Sequence, residues 1–244
     1  MITLANLKKQ YGRFWAVDGI NLSVAAGEIF GFIGPNGAGK TTTIRIMGGV
    51  LAPTAGTVLI DGIDMAREPE KAKIRIGFIP DRPFLYEKLT GWEFMRFSAD
   101  LYGMQDDKIR AEAMELLQMF SLRDWADGLI ESYSHGMKQR LIIAAALLHD
   151  PSVIIVDEPM VGLDPTGIRM VKDLLLSKAR EGKTIFMSTH SLGVAEDICD
   201  RIGIINRGAV IAMGTTNDLQ KTAGFEDADL EAVFLKLTEE QIPA

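Results

Sequence analysis

Residues 34–42 read Gly34-Pro35-Asn36-Gly37-Ala38-Gly39-Lys40-Thr41-Thr42, and this stretch decides how the rest of the chain is read. It fits the phosphate-loop pattern G-x-x-x-x-G-K-[ST]. A triphosphate needs backbone N–H groups aimed at it from several sides, so the chain must come close to it. A side chain at Gly37 or Gly39 would block that approach or forbid the dihedral angles it requires. All nine residues are therefore candidates for a nucleotide cradle. Lys40 would reach the β- and γ-phosphates, and the Thr41 hydroxyl would bind Mg²⁺. Upstream, residues 28–33 form a short apolar run that predicts a buried strand. Downstream, residues 42–47 predict a helix, whose N-terminus favours anions. Strand, glycine loop and helix together separate a working phosphate loop from a glycine-rich turn, in which Lys40-Thr41 would serve no purpose.

The 244 residues suffice for a full hydrophobic core. With 47% hydrophobic and 24% charged residues the composition is that of an ordinary globular protein. The longest apolar run, residues 141–148, is far short of the roughly 18 residues a membrane span needs. The N-terminus has no apolar leader. A single cysteine, Cys199, excludes an internal disulfide and fits a reducing compartment and a core position. The net charge of −7, with no basic run beyond Lys8-Lys9, lacks the footprint of a nucleic-acid binder.

The first thirty residues alternate as β-structure, with a turn at Tyr11-Gly12. Strands follow at 56–62, closed by Asp61-Gly62, and at 74–79, stopped by Pro80. From Thr90 the pattern turns helical. Thr90-Gly-Trp-Glu93 reads as a capping box. Trp92, Phe94, Met95, Leu101 and Tyr102 then form one expected apolar face, and Ile109, Ala113, Leu116, Leu117 and Phe120 a second. A third helix is expected over 137–148, with His149 a mere end residue before Asp150-Pro151. The β/α rhythm returns with strands at 152–156 and 184–188 and helices at 167–180 and 192–199, the last capped by Ser191. A hairpin at 201–213 turns at Arg207-Gly208, and a short helix over 229–237 ends the pattern. The fold class expected is α/β: a P-loop nucleotide-hydrolase core with an N-terminal antiparallel β-subdomain. A helical subdomain (90–148) is inserted into that core (1–89 and 149–216), and a short helical tail (217–244) follows.

Hydrolysis needs more than a phosphate loop: Mg²⁺ needs a carboxylate and water needs a base. Val153-Ile-Ile-Val-Asp157-Glu158 supplies both at the C-terminal end of a buried strand, where ligands bind in parallel α/β sheets. Asp157 is assigned to Mg²⁺ and Glu158 to the attacking water.

These motifs and their order resemble the ATP-binding cassette family, the nucleotide-hydrolysing subunits of ABC transporters, over essentially the whole chain. Residues 34–41 match the first phosphate motif and 153–158 the second. Ser134-His-Gly-Met-Lys138 stands where the family has its signature loop. Gly162-Leu-Asp164 matches the segment after the catalytic glutamate, His190 the switch histidine, and Tyr11 the aromatic that stacks on adenine. The resemblance implies ATP and Mg²⁺ as ligands, with Glu158, His190 and Lys40 catalytic. It also implies a head-to-tail dimer, a homodimer in the simplest case, with two sandwiched ATP molecules. Ser134, Gly136 and Met137 would then contact the γ-phosphate held by the other subunit, with Asp164 nearby. A separate integral membrane permease is the implied partner, on the cytoplasmic face of the cell membrane, with no nucleic acid involved. The multidrug, antibiotic and sodium export branch is the nearest in motif detail.

Three positions depart from the family pattern. His135 replaces a signature glycine, and Met137 the usual glutamine. Asp81, in Gly77-Phe-Ile-Pro-Asp81-Arg82, stands where the family has glutamine. One methylene shorter, Asp81 would reach Mg²⁺ only through a water. The alternative function is a cassette ATPase working on a soluble machine such as the ribosome, although those relatives carry two cassettes or a long insertion. A GTPase would need an Asn-Lys-x-Asp guanine reader, which is absent, and a kinase would lack the signature at Ser134.

Overall fold

The computed structural model describes residues 1–82 and 84–239. The last five residues of the expected tail lie outside the described residues. Ten strands and nine α-helices are assigned among them. The chain opens with β1 (Ile2–Tyr11) and β2 (Phe14–Val24), an antiparallel hairpin turning at Gly12, then β3 (Ile29–Ile33) and α1 (Lys40–Met47). Next come β4 (Ala55–Ile60), β5 (Ile63–Asp64), α2 (Pro69–Lys73) and β6 (Ile76–Ile79). A helical stretch holds α3 (Gly91–Leu101), α4 (Asp106–Met119) and α5 (His135–Leu147). The remainder alternates as β7 (Val153–Asp157), α6 (Pro165–Arg180), β8 (Thr184–Ser188) and α7 (Leu192–Ile198). It closes with β9 (Arg201–Asn206), β10 (Ala209–Gly214), α8 (Thr216–Ala223) and α9 (Leu230–Glu239).

Two sheets result. An antiparallel sheet runs β2-β1-β4-β5, and a six-stranded sheet runs β10-β9-β3-β8-β7-β6. In the second sheet every neighbour pair is parallel except the β9–β10 hairpin. The strands β3, β7 and β8 are buried at every residue, as parallel strands covered on both faces must be. Helix α1 lies between the two sheets: Ile44, Ile46 and Met47 share a cluster with Ile2, Leu4, Val17, Phe30, Phe32, Ile155 and Phe186. The opposite face of the large sheet carries a second cluster in which Met95, Ala113, Leu117, Phe120 and Leu141 from the helical stretch join Ile154, Val156 and Met187. A third, smaller cluster joins β9 to α7, α8 and α9.

Most expected elements are present, and the differences have physical causes. Residues 74 and 75 precede β6, because α2, begun by Pro69 in its first turn, occupies 69–73. The expected apolar face of α3 holds at Phe94 and Met95, but Leu101 is 70% exposed. It is the last helical residue and has turned off the buried stripe. Ser191 sits at the N-cap of α7 without bonding to the helix; its own N–H instead donates to Thr189 Oγ1 at 3.0 Å. His149 is more than an end residue. Its ring stacks on Tyr102 (centroids 3.5 Å apart, 6° between planes), and Nε2 lies 3.1 Å from the Ile76 carbonyl.

Candidate active site

The phosphate loop leaves β3 and closes onto the N-terminus of α1. Gly39 holds φ +112° at the N-cap, a conformation open to glycine and costly for other residues. A methyl group at Gly39 would also lie 2.3 Å from the Ala16 carbonyl oxygen. Gly37, at φ +78°, has open space around it, so there the dihedral angle alone demands glycine. The loop is braced from outside. Ala38 N–H donates to Pro35 O (3.1 Å), Gly208 N–H donates to Ala38 O (2.9 Å), and Asp18 N–H donates to Gly208 O (2.8 Å). The β9–β10 turn therefore ties the loop to β2.

Lys40 is only 8% exposed, and its ammonium donates to Gly34 O (2.7 Å) and Pro35 O (3.2 Å). Burial holds its pKa below the usual lysine value, and the nearby Glu158 and Asp157 carboxylates oppose that shift. The loop's own carbonyls satisfy the cation. Thr43 Oγ1 donates to Gly39 O at 2.9 Å and secures the first turn of α1.

The carboxylates come from β7. Asp157 is buried, and the Ser188 hydroxyl on the neighbouring strand donates to its Oδ1 at 2.5 Å. Asp157 and Ser188 are ladder partners. Glu158 takes φ +52°, a left-handed conformation that costs a non-glycine residue on the order of 1–3 kcal/mol and collects at functional sites. Its N–H is held by Ser188 O (3.2 Å) and Ser188 Oγ (3.3 Å). Its Oε2 accepts from His190 N–H at 3.1 Å and lies 2.8 Å from His190 Nδ1. Adjacent strands thus bring Glu158 and His190 together, as expected for neighbours in one parallel sheet.

A cavity of about 640 Å³ unites these groups. Of the residues singled out from sequence, Tyr11, Asn36, Gly37, Ala38, Gly39, Lys40, Thr41, Thr42, Asp81, Glu158 and His190 line it. Gly34 and Pro35 stand behind it as the carbonyls that hold Lys40, and Asp157 lies beneath, against Ser188. The structure does not bring Ser134, Gly136, Met137 or Asp164 to this cavity. Ser134 caps α5, its hydroxyl accepting from Met137 N–H at 3.3 Å. Asp164 caps α6 by accepting from Gly167 N–H at 2.9 Å.

Sequence reading missed five contributors: Phe14, Ala16, Arg82 and Val161 in the cavity wall, and Ser188 beneath it. Phe14 is strand-paired with Tyr11, and its exposure in a β-hairpin was the available signal. Ser188 gave none, because a serine at the end of an apolar strand has no motif of its own.

The comparisons with known proteins agree with this geometry. The family model described as ABC transporter matches residues 17–161. The chain belongs to the ABC transporter family. A second model, described as an AAA domain and putative AbiEii toxin, matches residues 127–196, the stretch holding the second phosphate motif. The linearmycin resistance ATP-binding protein LnrL of Bacillus subtilis is 39% identical over 224 residues, covering 92% of this chain and 72% of the relative. A solved ATP-binding subunit of an ABC transporter superposes with a TM-score of 0.92 at 33% identity, covering 97% of this chain and 99% of that one. A dimeric ATP-binding cassette, MJ0796, solved in a post-hydrolysis state with ADP and phosphate, superposes at 0.78 and 29% identity, covering 88% and 98%. As an ABC cassette, the chain binds ATP and hydrolyses it. ABC cassettes dimerise and pair with membrane permease subunits.

Proposed function

We propose that this cassette powers an exporter of the drug and antibiotic resistance type. Two copies would close on two ATP molecules and drive a separate permease from the cytoplasmic face of the membrane. One observation carries the dimer: a single chain gathers the phosphate loop, Glu158 and His190 around one cavity but leaves Ser134, Gly136 and Met137 outside it. The N-terminus of α5 is an anion-favouring helix end, free to meet a phosphate held elsewhere. The resistance named for LnrL supports the export reading, as does the motif likeness to that branch. Among the described residues no helix is long and apolar enough to cross a membrane, so the reading assigns the span to a partner. Nucleic acid has no part in it.

The reading gives the site residues the following roles. Backbone N–H groups of residues 36–42 and Lys40 bind the phosphates. Tyr11 offers its ring to adenine, with Phe14 beside it. Glu158, anchored through His190, orients and deprotonates the attacking water. Thr41 and Asp157, with Asp81 through a water, are hard oxygen donors that suit Mg²⁺, which would neutralise phosphate charge. Residues 90–148 act as a helical subdomain that carries the α5 N-terminus toward the second cassette, while 1–89 and 149–216 hold the nucleotide.

The permease surface in this reading adjoins Asp81. Phe84 is 78% exposed, Tyr86 packs edge-on against both Phe84 (5.8 Å) and Phe97 (5.3 Å), and Leu101 follows one turn beyond Phe97. An exposed apolar group of this kind marks an interaction site.

Glu158→Gln tests the whole reading. It should bind ATP but hydrolyse it about 10²–10⁴-fold more slowly, the usual worth of a general base. Solubilised from its host membranes with ATP present, the tagged variant should bring down a polytopic membrane protein. Recovery of ribosomes or other soluble machinery instead would overturn the transport reading.

A further inference from the structure

Among the described residues that line the nucleotide cavity, two side chains carry a fixed positive charge, Lys40 and Arg82. Lys40 is buried and held by the Gly34 and Pro35 carbonyls. Arg82 is exposed, and among the described residues its guanidinium makes neither an ion pair nor a hydrogen bond. Three carboxylates oppose these cations: Asp81 and Glu158 in the wall, and Asp157 beneath it. An excess of carboxylates is a poor match for a polyanion, so an unengaged guanidinium in this wall matters to binding. It belongs to neither phosphate motif, and the roles assigned so far leave it unused.

Sheet order fixes the end of the nucleotide at which Arg82 lies. Strand β6 is the edge of the large sheet, beside β7, with Ile79 opposite Val156 in parallel register. Asp81 and Arg82 therefore leave β6 at the same end of the sheet at which Asp157 and Glu158 leave β7. The aromatic end of the cavity lies toward the other edge. Tyr11 and Phe14 belong to the β1–β2 hairpin, which meets the large sheet at the β9–β10 turn, where Asp18 N–H donates to Gly208 O (2.8 Å). The phosphate loop leaves β3, between these two edges. From one edge to the other the cavity thus runs from aromatic rings to loop to carboxylates. Arg82 stands beyond the loop, where the terminal phosphate of ATP would lie. A guanidinium offers a planar fork of donors that fits a phosphate better than any other side chain does.

We propose that Arg82 binds the terminal phosphate of the ATP held in its own chain, and so makes the cavity prefer ATP to ADP. The loop backbone takes hold of either nucleotide. Arg82 reaches only the group that hydrolysis removes, and its charge offsets that of Asp81, its neighbour in the same wall. The inference rests on ATP occupying this cavity and is independent of the dimer reading.

The test is equilibrium binding to the full chain, measured by calorimetry with the non-hydrolysable β,γ-imido analogue of ATP and, separately, with ADP. Arg82→Gln should weaken the ATP analogue about tenfold, the worth of a charge-assisted contact, and ADP by less than about twofold. Arg82→Lys keeps the charge without the fork and should recover part of that loss. The difference between parent and Arg82→Gln should narrow as salt is added. Arg82 is exposed, so neither substitution removes a core contact. Equal losses for the two nucleotides, or no loss for either, would overturn the proposal. Lys40→Ala separates the two levels. If that variant binds the ATP analogue as tightly as the parent, the nucleotide does not occupy this cavity, and the site reading falls together with the proposal. Weakened binding in Lys40→Ala, beside an Arg82→Gln chain that shows no ATP-selective loss, defeats the role of the arginine alone.

Discussion

Ser188 shows how much of this site rests on a side chain that touches no phosphate. Its hydroxyl donates to buried Asp157, and both its oxygens receive the N–H of strained Glu158. Ser188→Ala removes a charge-assisted bond and leaves Asp157 short of a donor in the interior. It should cost about 1–3 kcal/mol of folding stability, read from urea denaturation, and turnover should fall more than ATP binding. Unchanged stability would mean that water replaces the hydroxyl. At the same scale burial pushes the Cys199 thiol up to about 12, which disfavours its reactive thiolate, and a side chain at Gly31 would meet the sulfur.

Elements place these side chains by ordinary local rules. Thr90 caps α3 as a full capping box, with Glu93 N–H donating to Thr90 Oγ1 (3.1 Å) and Thr90 N–H to Glu93 Oε2 (2.8 Å). The same turn is stitched to the segment before α5, since Trp92 N–H donates to Ala126 O and Gly91 N–H to Gly128 O. Thr90→Ala should destabilise the chain by about 1 kcal/mol. Because α3 packs against α5, hydrogen exchange should quicken in the α5 N-terminus as well as in α3; exchange confined to α3 would show that the two helices open independently. Pattern reading found this cap, the phosphate-loop helix and the three buried strands, because each is encoded within a few residues. It overestimated the apolar face of α3 at Leu101 and overlooked α2 and α8, which are too short or too polar to show a helical period.

The whole molecule holds a pH-dependent joint where the helical stretch meets the large sheet. His149 leaves α5, stacks on Tyr102 from the end of α3 and meets the Ile76 carbonyl on β6. Burial lowers its pKa to about 4, against the opposing pull of the Ile76 carbonyl and Asp150. A histidine with a depressed folded-state pKa takes up its proton more readily when unfolded, where the value is about 6.5. Its stabilising contribution is therefore complete above about pH 6.5 and is lost as pH falls toward 4. Between pH 7 and pH 5 the loss should be about 1 kcal/mol, allowing for the part of the ring that remains in water. His149→Phe should remove that share of the slope in denaturation curves taken across this range; an unchanged slope would place the pH sensitivity elsewhere.

The sequence by itself determined the nucleotide chemistry. Residues 34–42, Asp157-Glu158 and His190 are local patterns whose residue types suit phosphate binding and hydrolysis, and the strand and helix around each are written beside it. Only the tertiary structure decided which of them share one cavity. It placed β8 between β3 and β7, so that His190 reaches Glu158, put Ser188 under Asp157, and set His135 against Gly162. Those contacts join residues about thirty apart along the chain and depend on sheet order and helix packing, which no local pattern records. The absence of Ser134, Gly136 and Met137 from the cavity is likewise a matter of packing, and it is what supports the proposed dimer.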